Sequence, residues 1–244
     1  MKIKGKLKEM NKKVAILQSN YIPWKGYFDL INIVDEFIIY DDVQYTRRDW
    51  RNRNIIKTTK GLLYLTIPVM SKGNYFQKIN ETKISDPNWG KNHWKTIYIN
   101  YSKAPYFKDY KELFEELYLN NDEKYLSKIN YKFIFEINKL LNIKTKISWS
   151  DNYEYQQETE KTEKLISLCK LVGADEYLSG PSAGNYIQED SFKKENIKLT
   201  WVDYSDYTEY NQLHPPFEHG VSILDLIFNT GKDAASYMKS FGEK

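Results

Sequence analysis

Cysteine is nearly absent: the 244 residues contain one, Cys169. A lone cysteine cannot close an internal disulfide, suits a reducing cytoplasm, and excludes a cysteine-rich zinc site. Long apolar runs are missing too, none approaching the eighteen or so residues of a membrane span. Charge of one sign is scarce. Thirty-six Lys and Arg against 33 Asp and Glu leave a net charge of +3, so no broad basic field points to nucleic acid. Histidine is limited to His93, His214 and His219. Repeats and low-complexity tracts do not occur. What is present describes an ordinary soluble globular protein, with 41% hydrophobic and 28% charged residues. Aromatics are heavy at 16%, with 21 tyrosines, enough to line a sugar or nucleotide site. Residues 1–13 are basic, lack the apolar core of a signal peptide, and are expected to form a partly disordered tail. Residues 14–244 are expected to form one domain.

The pattern that organises the chain is Val14–Thr58. Val14–Leu17 is a short apolar run of the kind buried on both faces of a parallel sheet. A turn with Pro23 and Gly26 follows, then two helical turns over Tyr27–Val34, then a second strand, Phe37–Tyr40, ending in Asp41-Asp42. That is the length of a βαβ unit. Further strands are expected at Leu62–Val69, Lys78–Ile84, Thr145–Trp149, Glu176–Leu178 and Ile197–Val202. Helices are expected at Asn88–Asn100, Tyr106–Tyr118, Lys124–Leu141, Glu160–Val172, Gln188–Glu195 and Ser222–Phe228. Such alternation predicts an α/β fold: a mainly parallel, doubly wound (Rossmann-like) sheet, with an inserted helical block at about 88–141. In such sheets ligands sit beyond the carboxyl ends of the strands, which places the site at Gln18-Ser19-Asn20-Tyr21 and Asp41-Asp42-Val43-Gln44.

Several residues there are suited to chemistry. His93 shares a helical face with Trp89, Ile97 and Tyr101, and can act either as a general base or as a core histidine bonded to a carbonyl. Asp41 and Asp42, adjacent at a strand end, point to opposite faces; one is expected to meet the pocket and the other to cap a turn. No third metal ligand is linked to them by spacing, so no metal site is expected. Arg47, Arg48, Arg51 and Arg53, with Trp50 among them, read as a phosphate clamp or as a solvated surface run. The small residues of Ser179-Gly180-Pro181-Ser182 expose backbone N–H groups suited to an anion or oxyanion, or form a plain tight turn. Cys169 reads as core, and His214 and His219, flanking Pro215-Pro216, as surface or lid residues.

Gln18–Phe28, Asp41–Tyr45, Arg53–Thr58, Trp89–His93, Tyr177–Gly180 and Ser222–Leu226 together resemble the WbqC-like proteins, encoded among bacterial genes for O-antigen and other surface polysaccharides. Ser19 stands where that family usually has proline. The resemblance implies a lipopolysaccharide-type setting and an acyl- or aminoacyl-transferase acting on a nucleotide-linked amino sugar. The donor would be a thioester of coenzyme A or of an acyl carrier protein; no bound cofactor is expected. In that scheme His93 deprotonates the amine, Asp41 or Asp42 orients it, Ser179 and Gly180 steady the oxyanion, and the arginines hold phosphates. Gln18, Tyr21, Trp24, Gln44 and Trp50 would contact substrate. Two other readings stand beside it. A nucleotidyl-transferase would normally carry His-x-Gly-His where this chain has Trp24-Lys25-Gly26-Tyr27. A non-catalytic scaffold for a glycosyltransferase or carrier would show an exposed aromatic patch, with Tyr204–Tyr210 the candidate.

Overall fold

A computed structural model describes residues 11–155, 157 and 159–242. Five strands, β1 (Lys13–Leu17), β2 (Glu36–Ile39), β5 (Lys146–Trp149), β6 (Glu176–Ser179) and β7 (Lys198–Trp201), form one sheet in the order β5-β2-β1-β6-β7. All four neighbouring pairs are parallel, with Val14 opposite Glu36 on one side and Tyr177 on the other. Strands β3 (Arg53–Thr58) and β4 (Gly61–Thr66) make a separate antiparallel hairpin.

Pleating explains why β1 and β2 are apolar after their first residues, Lys13 and Glu36. Successive side chains point to opposite faces, and both faces are covered. Ala15, Phe37 and Ile39 pack with α1 (Lys25–Asn32), α2 (Trp89–Tyr101), α3 (Phe107–Leu119), α4 (Leu126–Leu140) and α7 (Ile223–Thr230). Val14, Ile16 and Ile38 pack with α5 (Lys161–Leu171) and α6 (Glu189–Lys194). The helices α2–α4 lie between β4 and β5 in the chain, and their Ile97, Phe114 and Phe133 share one core with Phe28 and Phe37.

Two sequence expectations give way. Residues 1–10 of the predicted tail lie outside the described residues, but Lys12 and Lys13 are fixed. Lys13 opens β1, and the Lys12 ammonium donates to Glu36 at 2.8 Å and to the Val172 carbonyl at 2.6 Å. The strand expected at Lys78–Ile84 is instead a 3₁₀ turn at Ile79–Glu81 flanked by single bridges, Gln44 to Lys78 and Val69 to Ile84. Among the described residues no helix is long and apolar enough to cross a membrane.

Candidate functional site

Strand order turns around at β1: β2 and β5 follow to one side, β6 and β7 to the other. The loops leaving β1 and β6 therefore diverge and open a crevice beyond the strand tips. A cleft of about 920 Å³ occupies that place. Gln18 and Asn20 enter it from the β1 loop, Asp42 and Gln44 from the β2 loop, and Ser179 through Ala183 from the β6 loop. Trp24, Trp50 and Phe76 reach it from beyond these loops.

Trp24 immediately precedes α1, and its ring meets Tyr204 edge-on at 5.3 Å. It can fold back over the first turn only because residue 26 is glycine: a β-carbon there would come within 2.4 Å of the indole. Asp42 accepts hydrogen bonds from the Tyr155 hydroxyl (2.6 Å), the Gln157 amide (3.0 Å) and the Ser150 hydroxyl. Gln157 accepts in turn from the Lys78 ammonium at 3.1 Å. Arg51 donates to Asn20 and pairs with Asp49 at 3.3 Å. Lys161 and Lys164, one turn apart at the start of α5, complete the wall, with the Lys161 ammonium 5.2 Å from the Tyr186 ring. Burial holds the Tyr40 and Tyr204 phenols up at about 12, so both are neutral rings at physiological pH. The lining thus sets four cations, Arg51, Lys78, Lys161 and Lys164, against the single carboxylate of Asp42. It is built for an anion that also carries flat or apolar surface.

Asp41 does not face this cleft. It is buried, accepting from the Ser19 amide (2.8 Å), the Ser19 hydroxyl (2.6 Å) and the Ser127 hydroxyl. Burial raises its pKa, a tendency those three donors oppose. The Asn130 amide ties the same knot to the Arg51 carbonyl at 2.8 Å. Asp41 thereby holds the β1 and β2 loops together beneath the residues that reach the cleft.

The convergence of His93 with the strand-end loops, expected from a catalytic base, is not found. His93 lies in the α2 face packed against Trp89, Tyr21 and Tyr118. Its Nε2 is 3.1 Å from the Thr66 carbonyl, which can only accept, so Nε2 carries the proton and Nδ1 accepts from the Tyr21 hydroxyl at 2.8 Å. Both nitrogens are occupied, and burial depresses the imidazole pKa to about 4. Tyr21 is likewise wholly buried. Of the arginine run only Arg51 lines the cleft. Arg47 covers Tyr75 and donates to the Ser71 carbonyl, Arg53 lies over Tyr64, and Arg48 sits in the hairpin approach with φ 57°. Tyr207 and Tyr210 do not form the exposed patch a scaffold would show; they are buried, bonded to Asp29 and Asp225. His214 donates to the Asn100 carbonyl, His219 packs on Phe217, and Cys169 lies in the core under the α5–α6 face with its thiol pushed up to about 12. Among the described residues no cluster of His, Cys, Asp and Glu suits a metal ion.

Sequence reasoning missed Tyr155, Gln157, Lys161 and Lys164. All four follow the tip of β5 or open the helix after it, so the strand-tip rule, applied to β5 as well as to β1 and β2, points to them.

The chain is 49% identical over 228 residues to the uncharacterized protein Rv1507c of Mycobacterium tuberculosis, covering 93% of this chain and 98% of that one. No solved structure matches it. The model of the WbqC-like protein family matches residues 18–237, from the first polar residue of the cleft to beyond α7. The strand-tip loops, nearly all of the cleft lining and most of both cores lie within that span, and the chain belongs to the WbqC-like protein family.

Proposed function

We propose that the cleft binds a nucleotide-linked amino sugar and that the protein is a cytoplasmic transferase, adding an acyl or aminoacyl group to that sugar during surface-polysaccharide assembly. One observation carries the reading: four cations and one carboxylate set among aromatic rings at the point where strand order reverses. The order 3-2-1-4-5 along the chain's own strand sequence supports a doubly wound reading, and such sheets bind nucleotides at this crevice. Arg51, Lys161 and Lys164 suit a diphosphate, and Trp24, Tyr40, Tyr186 and Tyr204 suit a base or a sugar ring.

With His93 turned into the core, Asp42 is the carboxylate available to the reacting amine. The amine nitrogen would attack the thioester carbonyl carbon, forming the C–N bond. Its proton would pass to Asp42, and the C–S bond would break with the thiolate leaving and taking up a proton. Ser179 and Gly180 line the cleft, and backbone amides of that loop would steady the developing oxyanion. The lining contains neither cysteine nor histidine, and a thioester, already activated, needs no enzyme-borne intermediate.

Mass analysis after incubation with UDP- and dTDP-linked amino sugars and acyl or aminoacyl thioesters tests the proposal. Addition of the acyl mass to the sugar nucleotide is expected; no product with any pairing would overturn it. Thermal shifts measured with ATP and CTP against sugar nucleotides and coenzyme A separate this reading from nucleotidyl transfer. Stabilisation by ATP or CTP alone would favour the latter.

A further inference from the structure

At the mouth of the cleft the molecule exposes an aromatic ridge that extends beyond the cleft lining. Phe76 is 86% exposed, the most of any large apolar side chain among the described residues, and its neighbour Tyr75 is 64% exposed. Trp50, also exposed, stacks on Tyr64 of β4 with ring centres 6.5 Å apart, and Leu62, two residues along β4, points to the same side and is exposed. Trp50 and Phe76 both line the cleft, so ridge and entrance are continuous. Cations sit directly on these rings: Arg53 is 4.5 Å from the centre of Tyr64 and Arg47 is 5.4 Å from that of Tyr75. Arg48, Lys60 and Lys72 are exposed on the neighbouring turns. Over residues 45–78 the sequence holds eight Lys and Arg and one acid, Asp49, which is already paired with Arg51. A chain with a net charge of only +3 has gathered its positive charge here.

We propose that this ridge seats the protein on an anionic lipid surface, presenting the cleft to substrates at the membrane. Side chains as exposed as Phe76 and Tyr75 form a projection rather than a groove. A bilayer interface yields around a projection, whereas a folded protein partner needs a matching hollow. Aromatic and leucine side chains interleaved with Lys and Arg suit the headgroup boundary of such a surface. The proposal does not depend on the reading of the cleft.

Sedimentation with vesicles tests it without any substrate. The full chain is expected to pellet with phosphatidylcholine vesicles containing about 30% phosphatidylglycerol, to remain free with phosphatidylcholine alone, and to be released by high salt. Tyr75→Ser with Phe76→Ser should abolish pelleting. Arg47→Gln and Lys72→Gln should each weaken it about fivefold, the effect of one cation near a charged leaflet. Ile99→Ser, which removes an exposed apolar side chain on α2, should change nothing. Unchanged thermal melting certifies each variant as folded. Equal binding to both vesicle types, no binding to either, or undiminished binding by the Tyr75/Phe76 double variant would overturn the proposal. So would ridge-dependent binding of an acidic carrier protein in the absence of vesicle binding.

Discussion

If His93 is a core residue, lowering the pH must unfold the protein through it, and removing it must abolish that sensitivity. Its pKa falls from 6.5 to about 4 because burial penalises the imidazolium, a cost the Thr66 carbonyl offsets only in part. The unfolded chain therefore takes up the proton first. Stability contributed by the neutral ring is complete above about pH 7 and drains away as pH falls through 6.5 toward 4. A shift of that size corresponds to about 3 kcal/mol. His93→Leu has its own cost at pH 7. It takes the imidazole from the part-buried Thr66 carbonyl and leaves the buried Tyr21 hydroxyl with Tyr118 alone, at 2.9 Å, which with the misfit of a branched side chain in the ring's place comes to about 3 kcal/mol. Urea denaturation should thus place the variant about 3 kcal/mol below wild type at pH 7 and close to it at pH 4. Every other titrating group is common to both proteins and cancels in the difference. A deficit independent of pH, or an NMR titration giving His93 a midpoint near 6.5, would refute the assignment and restore the histidine as a candidate base.

Four further outcomes follow from the site and its supports. Asp42→Asn should lower transfer by at least 100-fold, the usual contribution of a general base, while leaving sugar-nucleotide affinity within a few-fold by calorimetry. Lys161→Gln and Lys164→Gln should each weaken that affinity about tenfold at low salt, as loss of one charged contact does, and the deficit should shrink as salt is added. Glu36 is buried, which by itself would raise its pKa, but Lys12, Tyr153, Ser148 and Lys146 outweigh burial and bring it down to about 2. Its stabilisation is present above about pH 4.5 and is lost as pH falls toward 2. Because Lys146 is largely in solvent, the gain should be about 2 kcal/mol rather than the full shift, read as the Glu36→Gln deficit in urea at pH 7 vanishing near pH 2. Gly90→Ala should destabilise by about 2 kcal/mol in the same assay, since its β-carbon would lie 2.1 Å from the Tyr118 carbonyl.

The opening βαβ unit is legible because four consecutive apolar residues between turn formers leave a buried parallel strand as the simplest solution, and Val14–Leu17 and Phe37–Tyr40 are such runs. The second strand of the hairpin is legible in Leu62–Thr66, but the first is hidden. Arg53–Thr58 begins at the end of the arginine run and shows no alternation of polar with apolar residues, and its Asn54 is buried for a reason no pattern carries: its amide donates to the Tyr21 and Ile22 carbonyls of a distant loop. Lys161 and Lys164 look like the solvated face of a helix, and only the third dimension brings them opposite Arg51. His93 misled for the converse reason. Its spacing with Trp89, Ile97 and Tyr101 states that these four share a face, and that face is the core; the scarcity of histidine gave the residue a prominence its neighbours did not support.

Asp41 and Asp42 show how far local geometry alone can divide labour. The two are adjacent at the end of β2, so their side chains leave in opposite directions. One direction leads between α4 and the β1 loop, where three donors and no solvent await; the other leads to the cleft, where Tyr155 and Gln157 hold the carboxylate at the edge of open space. Exchange of the two roles is impossible without reversing the pleat of β2, which would turn Phe37 and Ile39 out of one core and Ile38 out of the other. Substitutions at the two positions should therefore separate. Asp41→Asn puts an amide donor against the Ser19 amide, Ser19 hydroxyl and Ser127 hydroxyl, and should cost about 2 kcal/mol of stability. Asp42→Asn should leave the urea midpoint almost unmoved while activity falls. A loss of stability at both positions would mean that the carboxylate facing the cleft is scaffold rather than site, and a loss at neither would refute the structural role of Asp41.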